Sequence, residues 1–488
     1  MARLSPFDMA CPIDSRYYGT DPDFFARLKP YVSEEAYLSY QVRVEVALAD
    51  VLAERGIAPP SLPIEIERAW AELTVADVYR EENRIGHVVR ALVNCIREKV
   101  GEESRPFVHL FATSNDITDT ANALRLKELA RDVLLPDLIE LELELIRMAQ
   151  LYANTLQIGR THGKHAEPIT FGYALANYVE RLGNRIEVIE NARKNLRGKF
   201  SGAVGAYNAT SLVFRDPADF EKQVLAKLVL QPVDRQVSTQ IVHPEYATDL
   251  THAVVSAFSV IANLADDIRH LHRSEIAEVQ EKYDEARVGS STMPHKLNPK
   301  NFEFVKSMWK ELMPRMITVY LDQISEHQRD LTNSASGRFV TELLTGFAYS
   351  VDRLTGALTD LDVNERNMLR NFEQSRDEAL AEPLYILLSV NGHSDGHSCA
   401  RRLVAQARES GKRLAELIRQ DDEVRPYLAR VGEEDVQVLR EPEKYVGLAP
   451  VRTEMVCEWW NLRCETLRRL LDAEKREEVQ RLRQKKRH

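Results

Sequence analysis

From Pro136 to Leu156, Leu138, Leu141, Leu145, Met148 and Tyr152 recur three and four residues apart, the spacing of an amphipathic helix with one apolar stripe. Between Pro244 and Gly289 the chain has neither Gly nor Pro, and Leu250, Val254, Phe258, Ile261, Ala265, Ile268 and Leu271 keep a nearly heptad spacing. This pattern predicts a helix of roughly 30 residues, about 45 Å long. An uncapped pattern of that length favours coiled-coil-like packing, including packing against other subunits. A third apolar pattern, Met308 to Ile324, is interrupted at Pro314, where a kink or a new first turn is expected. Glu34 to Arg55 reads as a helix among Pro-containing loops. After Leu361 the pattern becomes shorter-ranged and is punctuated by Gly392, Gly396, Gly411, Gly432 and Gly447, which predicts a separate, smaller helical unit. The tail from Ala473 to His488 is rich in Lys, Arg and Glu and reads as a solvated helix end.

Composition supports long helices. Gly and Pro each occupy only 20 of 488 positions, with 44% hydrophobic and 29% charged residues, and the length suggests about three domains. A net charge of -10 provides no global positive field for a phosphate polymer, so nucleic acid is not expected as the main partner. Met1 to Arg16 lack the apolar core of a secretory signal, and no uncharged run approaches the ~20 residues of a bilayer span, so a cytoplasmic location is expected. Cys11, Cys95, Cys399, Cys457 and Cys464 form no CxxC pair and read as reduced, mostly buried residues. His393, His397 and Cys399, beside Gly392 and Gly396, read as a plain loop, and no metal is expected.

The chemistry concentrates in Gly289-Ser290-Ser291-Thr292-Met293-Pro294-His295-Lys296-Leu297-Asn298-Pro299, followed by Glu303. A glycine, two serines and prolines after a long helix make a loop. A serine can remove a proton if its alkoxide is stabilised, and Lys296 and the loop amides offer that stabilisation. There is no phosphate-loop or dinucleotide fingerprint and no internal repeat.

This string resembles the GSSxMPxKxNP signature loop of the fumarase/aspartase superfamily. Thr113-Ser114-Asn115-Asp116 with Asp119-Thr120 resembles the superfamily's first active-site stretch, and Arg160-Thr161-His162-Gly163 with Glu167-Pro168 resembles its second. Further strings are similar to the adenylosuccinate lyase family: Pro12-Ile13-Asp14-Ser15-Arg16-Tyr17, Gly198 to Gly205 with Tyr207-Asn208, Ser238-Thr239-Gln240, and Gln328-Arg329-Asp330-Leu331-Thr332.

The resemblance implies an all-α fold of three domains, 1–111, 112–362 and 363–488. In it, a central long-helix bundle assembles four chains into a twenty-helix core, with active sites shared between subunits and no cofactor. It implies Ser290 as general base, His162 as general acid and Glu303 as the residue orienting the imidazole. Lys296 and Asn298, with Thr113 and Ser114, would bind the succinyl carboxylates. Arg16, Tyr17, Arg329, Ser334 and Arg338 would hold the nucleotide end, where guanidinium groups suit a phosphate. Gln240 would contact the substrate, and His87 would lie near the phosphate or the leaving nitrogen.

At His87 the chain departs from the family's T-x-H-D-V string, since it reads Ile85-Gly86-His87-Val88-Val89. Ser15 in place of Gly, and Asn333 and Ala335 beside Ser334, are further departures on the nucleotide side. The implied reaction is elimination of fumarate from adenylosuccinate and from the succinylated aminoimidazole carboxamide ribotide. The alternatives are another superfamily lyase for a different succinylated amine, such as argininosuccinate lyase, and a silent lyase-fold binding protein. Argininosuccinate lyases commonly show S-R-N-D where this chain has Thr113-Ser114-Asn115-Asp116. A silent relic would be expected to have lost Ser290, His162 or Lys296.

Overall fold

The computed structural model describes residues 9–282, 292–293 and 295–485. The helices that position the site are α1 (Glu34–Glu54), α2 (Val88–Lys99), α3 (Ser114–Leu129), α4 (Leu135–Leu151), α5 (Phe171–Lys194), α6 (Glu245–Leu271), α7 (Lys300–Leu312), α8 (Val340–Thr359) and α9 (Ala449–Lys485). Two short antiparallel ribbons interrupt them. One pairs β1 (Leu156–Thr161) with β2 (Lys164–Thr170), and the other pairs β3 (Val279–Glu281) with β4 (Leu361–Val363). The fold is therefore all-α with minor strands, as expected.

The expected stripes face inward. Leu138, Leu141, Leu145 and Met148 of α4 are buried, as are Leu250, Val254, Phe258, Ile261, Ala265 and Ile268 of α6. α6 is 27 residues long, about 40 Å. It ends where its apolar stripe ends, at Leu271, and the chain after it leads into β3 at Val279. α5 packs on α4 and α6, while α8 closes the bundle against α4 and α7. The apolar pattern broken at Pro314 becomes two helices, α7 and Arg315–Leu321, with Pro314 immediately before the second, where its missing N–H costs nothing.

Beyond residue 363 the chain forms two bodies. Leu380, Leu384, Leu388, Cys399, Leu403, Leu414 and Ile418 enclose a small core of their own. α9, 37 residues long, returns to the bundle and lays Cys457, Trp460, Cys464 and Leu471 into the main core. Gly183 of α5 makes room for it, since a Cβ there would lie 2.3 Å from Trp460 Cδ2. Trp460 Nε1 donates to Glu180 Oε2 at 2.7 Å. The basic tail is not merely solvated. Glu474 pairs with Arg193 at 3.0 Å and Glu478 with Arg131 at 2.5 Å, so ion pairs extend the docked helix past its apolar stripe.

One expectation is corrected here. His397 and Cys399 lie in a helix, Gly396–Ser410, because Asp395 caps it by accepting from Ser398 N at 2.9 Å. His393 Nδ1 accepts from Asp395 N at 3.0 Å and its Nε2 lies 3.2 Å from Glu423, while Arg402 Nη2 stands 3.4 Å from Cys399 Sγ and 2.9 Å from Glu423. A guanidinium already fills the gap between the thiol and the carboxylate, and the ring tautomer that donates to Glu423 offers no Nε2 lone pair. This cluster does not suit a cation. Among the described residues, no helix is long and apolar enough to cross a membrane.

Glu142 of α4 is buried against α9, and neither of its carboxyl oxygens has a hydrogen-bond partner among the described residues. Burial, reinforced by Glu180, raises its pKa well above 4.5. A raised carboxyl contributes stability that is fully present below the unfolded-state pKa and is lost as pH rises toward the folded value. Replacing Glu142 with Gln should therefore raise the thermal midpoint relative to the parent by an amount that grows between about pH 5 and pH 8. Melting curves across that range test this, and a difference that stays constant with pH would refute it.

Candidate active site

α3 starts where the candidate substrate-binding residues begin. Thr113 is its N-cap and Asp116 its N3 residue. Asp116 reaches back to the N-cap backbone, with Thr113 N donating to Asp116 Oδ2 at 2.9 Å, while Asp116 N donates to Thr113 O at 3.0 Å. The other oxygen of Asp116 forms an ion pair with Lys199, and both side chains are shielded from solvent. Lys199 Nζ also donates to Gly202 O at 3.2 Å, and its backbone N donates to Thr120 Oγ1 at 3.0 Å. Residues 199–202 are thus held across the first turns of α3.

Several predicted residues meet at this end of α3. His87 caps α2 by accepting from Arg90 N at 3.3 Å, and its Nε2 lies 3.3 Å from Ser114 Oγ. It is an exposed helix cap. Asn115 Nδ2 donates to Gln240 Oε1 at 3.4 Å, and Asp119 Oδ2 accepts from Val242 N at 3.0 Å. Burial pushes the Asp119 carboxyl up to about 6, against the Val242 amide and the charges of Lys199 and Arg329, which favour its ionised form. Arg329 therefore belongs to this cluster, and its Nη1 is buried without a partner among the described residues. Arg338 lies near Tyr37, whose hydroxyl it influences electrostatically. Arg338 and Ser334 are exposed.

His162 stands apart from them. Thr161 pairs with Lys164, so His162 (φ 54°) and Gly163 (φ 73°) form the two-residue tip of the β1–β2 hairpin. Both central residues have positive φ, as a type I′ turn requires. Histidine tolerates that region poorly compared with glycine, and the turn leaves the imidazole exposed. The hairpin base is rigid. Buried Glu278 accepts from Arg160 Nη2 at 2.6 Å, from Gln157 Nε2 at 2.7 Å and from Asn371 Nδ2 at 2.8 Å.

Ser290, and with it Gly289 and Ser291, lies outside the described residues, while the stems of its loop are well defined. Glu281 Oε1, on the last residue of β3, accepts from Asn301 N at 2.9 Å and Phe302 N at 3.4 Å at the start of α7. Lys296 is exposed, Asn298 is half-buried, and Glu303 is exposed on the first turn of α7, facing His272 and Glu281. Among the described residues, no hydrogen bond or ion pair joins Glu303 to His162. Tyr17 packs its ring 5.3 Å from Phe304 and 5.5 Å from Tyr349, which leaves its neighbour Arg16 exposed.

Sequence reasoning missed Glu278, Glu281 and Asn371, which hold the hairpin and the loop stems. Only the end of the α6 stripe at Leu271 hints that the chain there changes structure. Lys199 and Asp116 were visible as motif letters but without their partnership.

Residues 15–313 match the protein family described as Lyase, and residues 325–442 match the one described as Adenylosuccinate lyase C-terminal. The adenylosuccinate lyase of Pyrococcus abyssi is 35% identical over 445 residues, covering 90% of this chain and 95% of that protein. The chain belongs to the adenylosuccinate lyase family. A second family member, from Pyrococcus horikoshii, is 33% identical over 92% of this chain and 97% of its own length. The backbone is similar to the crystal structure of 3-carboxy-cis,cis-muconate lactonizing enzyme from Pseudomonas putida. That similarity has a TM-score of 0.77 at 23% identity and covers 92% of this chain and 98% of that one.

Lys199→Ala would leave the buried Asp116 charge without its counter-ion, a loss of about 3–5 kcal/mol for a broken buried pair. Urea unfolding of the variant checks this, and a change under about 1 kcal/mol would show that Asp116 finds another partner.

Proposed function

We propose that this protein eliminates fumarate from adenylosuccinate to give AMP, and likewise from the succinylated aminoimidazole carboxamide ribotide, in purine nucleotide biosynthesis. The observation that carries this reading is the adenylosuccinate lyase C-terminal match over residues 325–442. It contains Arg329, Ser334 and Arg338, the residues assigned to the nucleotide end. Arg329, with a buried Nη1 lacking a partner among the described residues, is suited to an anion.

In this reading Ser290 removes the proton from the carbon beside one succinyl carboxylate. The electron pair of that C–H bond becomes the new C=C bond, the C–N bond breaks, and His162 protonates the departing nitrogen. Charge builds on the carboxylate as the proton leaves, so Lys296, Asn298, Thr113 and Ser114 act as donors placed in advance. Arg16, Tyr17, Arg329, Ser334 and Arg338 hold the nucleotide, His87 lies beside Ser114 at the same site, and Glu303 orients the imidazole. The steps balance in protons and electrons, and the reading assigns no cofactor to them.

The reading includes a cytoplasmic homotetramer with composite active sites. Two observations support it. His162 sits at a hairpin tip without a bond to Glu303 among the described residues, and Ile317, Leu321, Ile324 and Leu331 expose large apolar side chains near the nucleotide-end segment.

Incubation with adenylosuccinate should release fumarate and AMP. Fumarate from another succinylated amine alone would keep the fold and remove this substrate. Ser290→Ala should lower turnover by at least ~10²-fold with little change in substrate affinity. Retained activity in that variant together with loss in Ser291→Ala would move the base to the second serine.

Mixing inactive His162→Ala and Ser290→Ala proteins after dissociation and reassembly should restore about a quarter of the sites, since each residue is drawn from a different chain of a symmetric oligomer. Reassembled tetramers without activity would mean that one chain supplies both groups.

A further inference from the structure

Gln240 is held by the first turns of α3. Thr118 Oγ1 donates to Asn115 Oδ1 at 3.2 Å, which leaves the Asn115 Nδ2 as the outward donor. That Nδ2 donates to Gln240 Oε1 at 3.4 Å. One helical turn further along α3, Asp119 Oδ2 accepts the backbone N–H of Val242 at 3.0 Å. Residues four apart lie on one helix face, so the side chain of Gln240 and the backbone two residues beyond it hang from successive turns of the same helix. Behind them, Ser201 Oγ lies 2.8 Å from Ser238 Oγ. A Cβ on Gly205 would lie 2.1 Å from Ser238 O, so the backbone behind this segment cannot retreat.

A primary amide has an acceptor end and a donor end. With Oε1 engaged by Asn115, the Nε2 hydrogens of Gln240 have no partner among the described residues.

We propose that Asn115 and Asp119 are positioning residues that fix the polarity of Gln240, directing its two amide hydrogens at an acceptor oxygen on the substrate. The proposal rests on the reading above, in which Gln240 touches the substrate. It adds that the ligand group there is an acceptor and that α3 sets the orientation. The ligand chemistry follows from the donor: a carboxylate, phosphate or carbonyl oxygen is accepted, and an N–H at that place is rejected.

The sharpest test is Asn115→Asp. A carboxylate at position 115 only accepts, so it draws Nε2 of Gln240 inward and turns Oε1 toward the substrate. With adenylosuccinate as the probe, Gln240→Ala should lower kcat/KM by about 10- to 100-fold, the range for a hydrogen bond to a charged group. Asn115→Asp should lower it at least as much, and the double variant should lose no more than the worse single, because both act through one amide. Asp119→Ala should raise KM about tenfold and be equally non-additive with Gln240→Ala. Asp119→Asn still offers an oxygen to Val242 N and should recover most of that loss.

A silent Gln240→Ala would overturn the reading that Gln240 touches substrate. An effective Gln240→Ala combined with additive or absent effects of Asn115→Asp would leave that reading standing and overturn this proposal, since repulsion from the new charge would persist without Gln240. Should Asp119→Ala fail to fold, Asn115→Asp alone decides, because position 115 is half-buried and the substitution is nearly isosteric.

Discussion

Asp116 occupies the first turn of α3, where exposed backbone N–H groups favour a carboxylate, yet it is buried, and a buried charge persists only when paired. Lys199 provides the partner. To reach it, the chain from Leu196 must cross α3, and the ammonium then also engages Gly202 O. With residues 199–205 fixed, the absence of a side chain at Gly205 lets the 238–239 backbone pack directly on them. Three separate stretches of sequence are thereby stacked on one helix end. Thr113, Ser114 and Gln240 lie on that stack, and Arg329 is close enough to influence Asp119.

A second constraint governs the two loops that carry the motif strings. A loop can carry chemistry only if its ends are held by rigid elements. Here buried Glu278 gathers Arg160, Gln157 and Asn371, tying the base of the His162 hairpin to the end of α6. Three residues later Glu281 clamps β3 to the start of α7. Neighbouring carboxylates on one short stretch thus brace both the hairpin that presents His162 and the stems of the Ser290 loop. The long helices of the bundle supply the stiffness against which these braces act.

Glu303 and His162 have complementary chemistry, and among the described residues no hydrogen bond or ion pair joins them. Each is exposed, on an element whose base is firmly held. An imidazole in the left-handed region of a hairpin tip is conformationally costly, and the φ of 54° at His162 shows that the fold bears that cost.

The sequence by itself determined the long helices and the chemistry. The three- and four-residue apolar spacing of Leu138 to Met148 and of Leu250 to Ile268 survives in the fold, because burying one stripe of a helix is a local requirement that any partner satisfies. The motif strings from Thr113 to Pro299 likewise carried the resemblance to the lyase family that residues 15–313 match, since motif letters can be read without knowing what they touch. What only the tertiary structure decided is partnership. That α9 returns to the bundle depends on Gly183 accommodating Trp460, nearly three hundred positions away. That Lys199 neutralises Asp116, that Glu278 braces Arg160 and that Asn115 orients Gln240 are pairings between distant segments. Their residue types fit many other partners equally well. Periodicity encodes which face is buried, but it carries no information about what meets that face, and a hydrogen bond or ion pair exists only once packing has brought its two ends together.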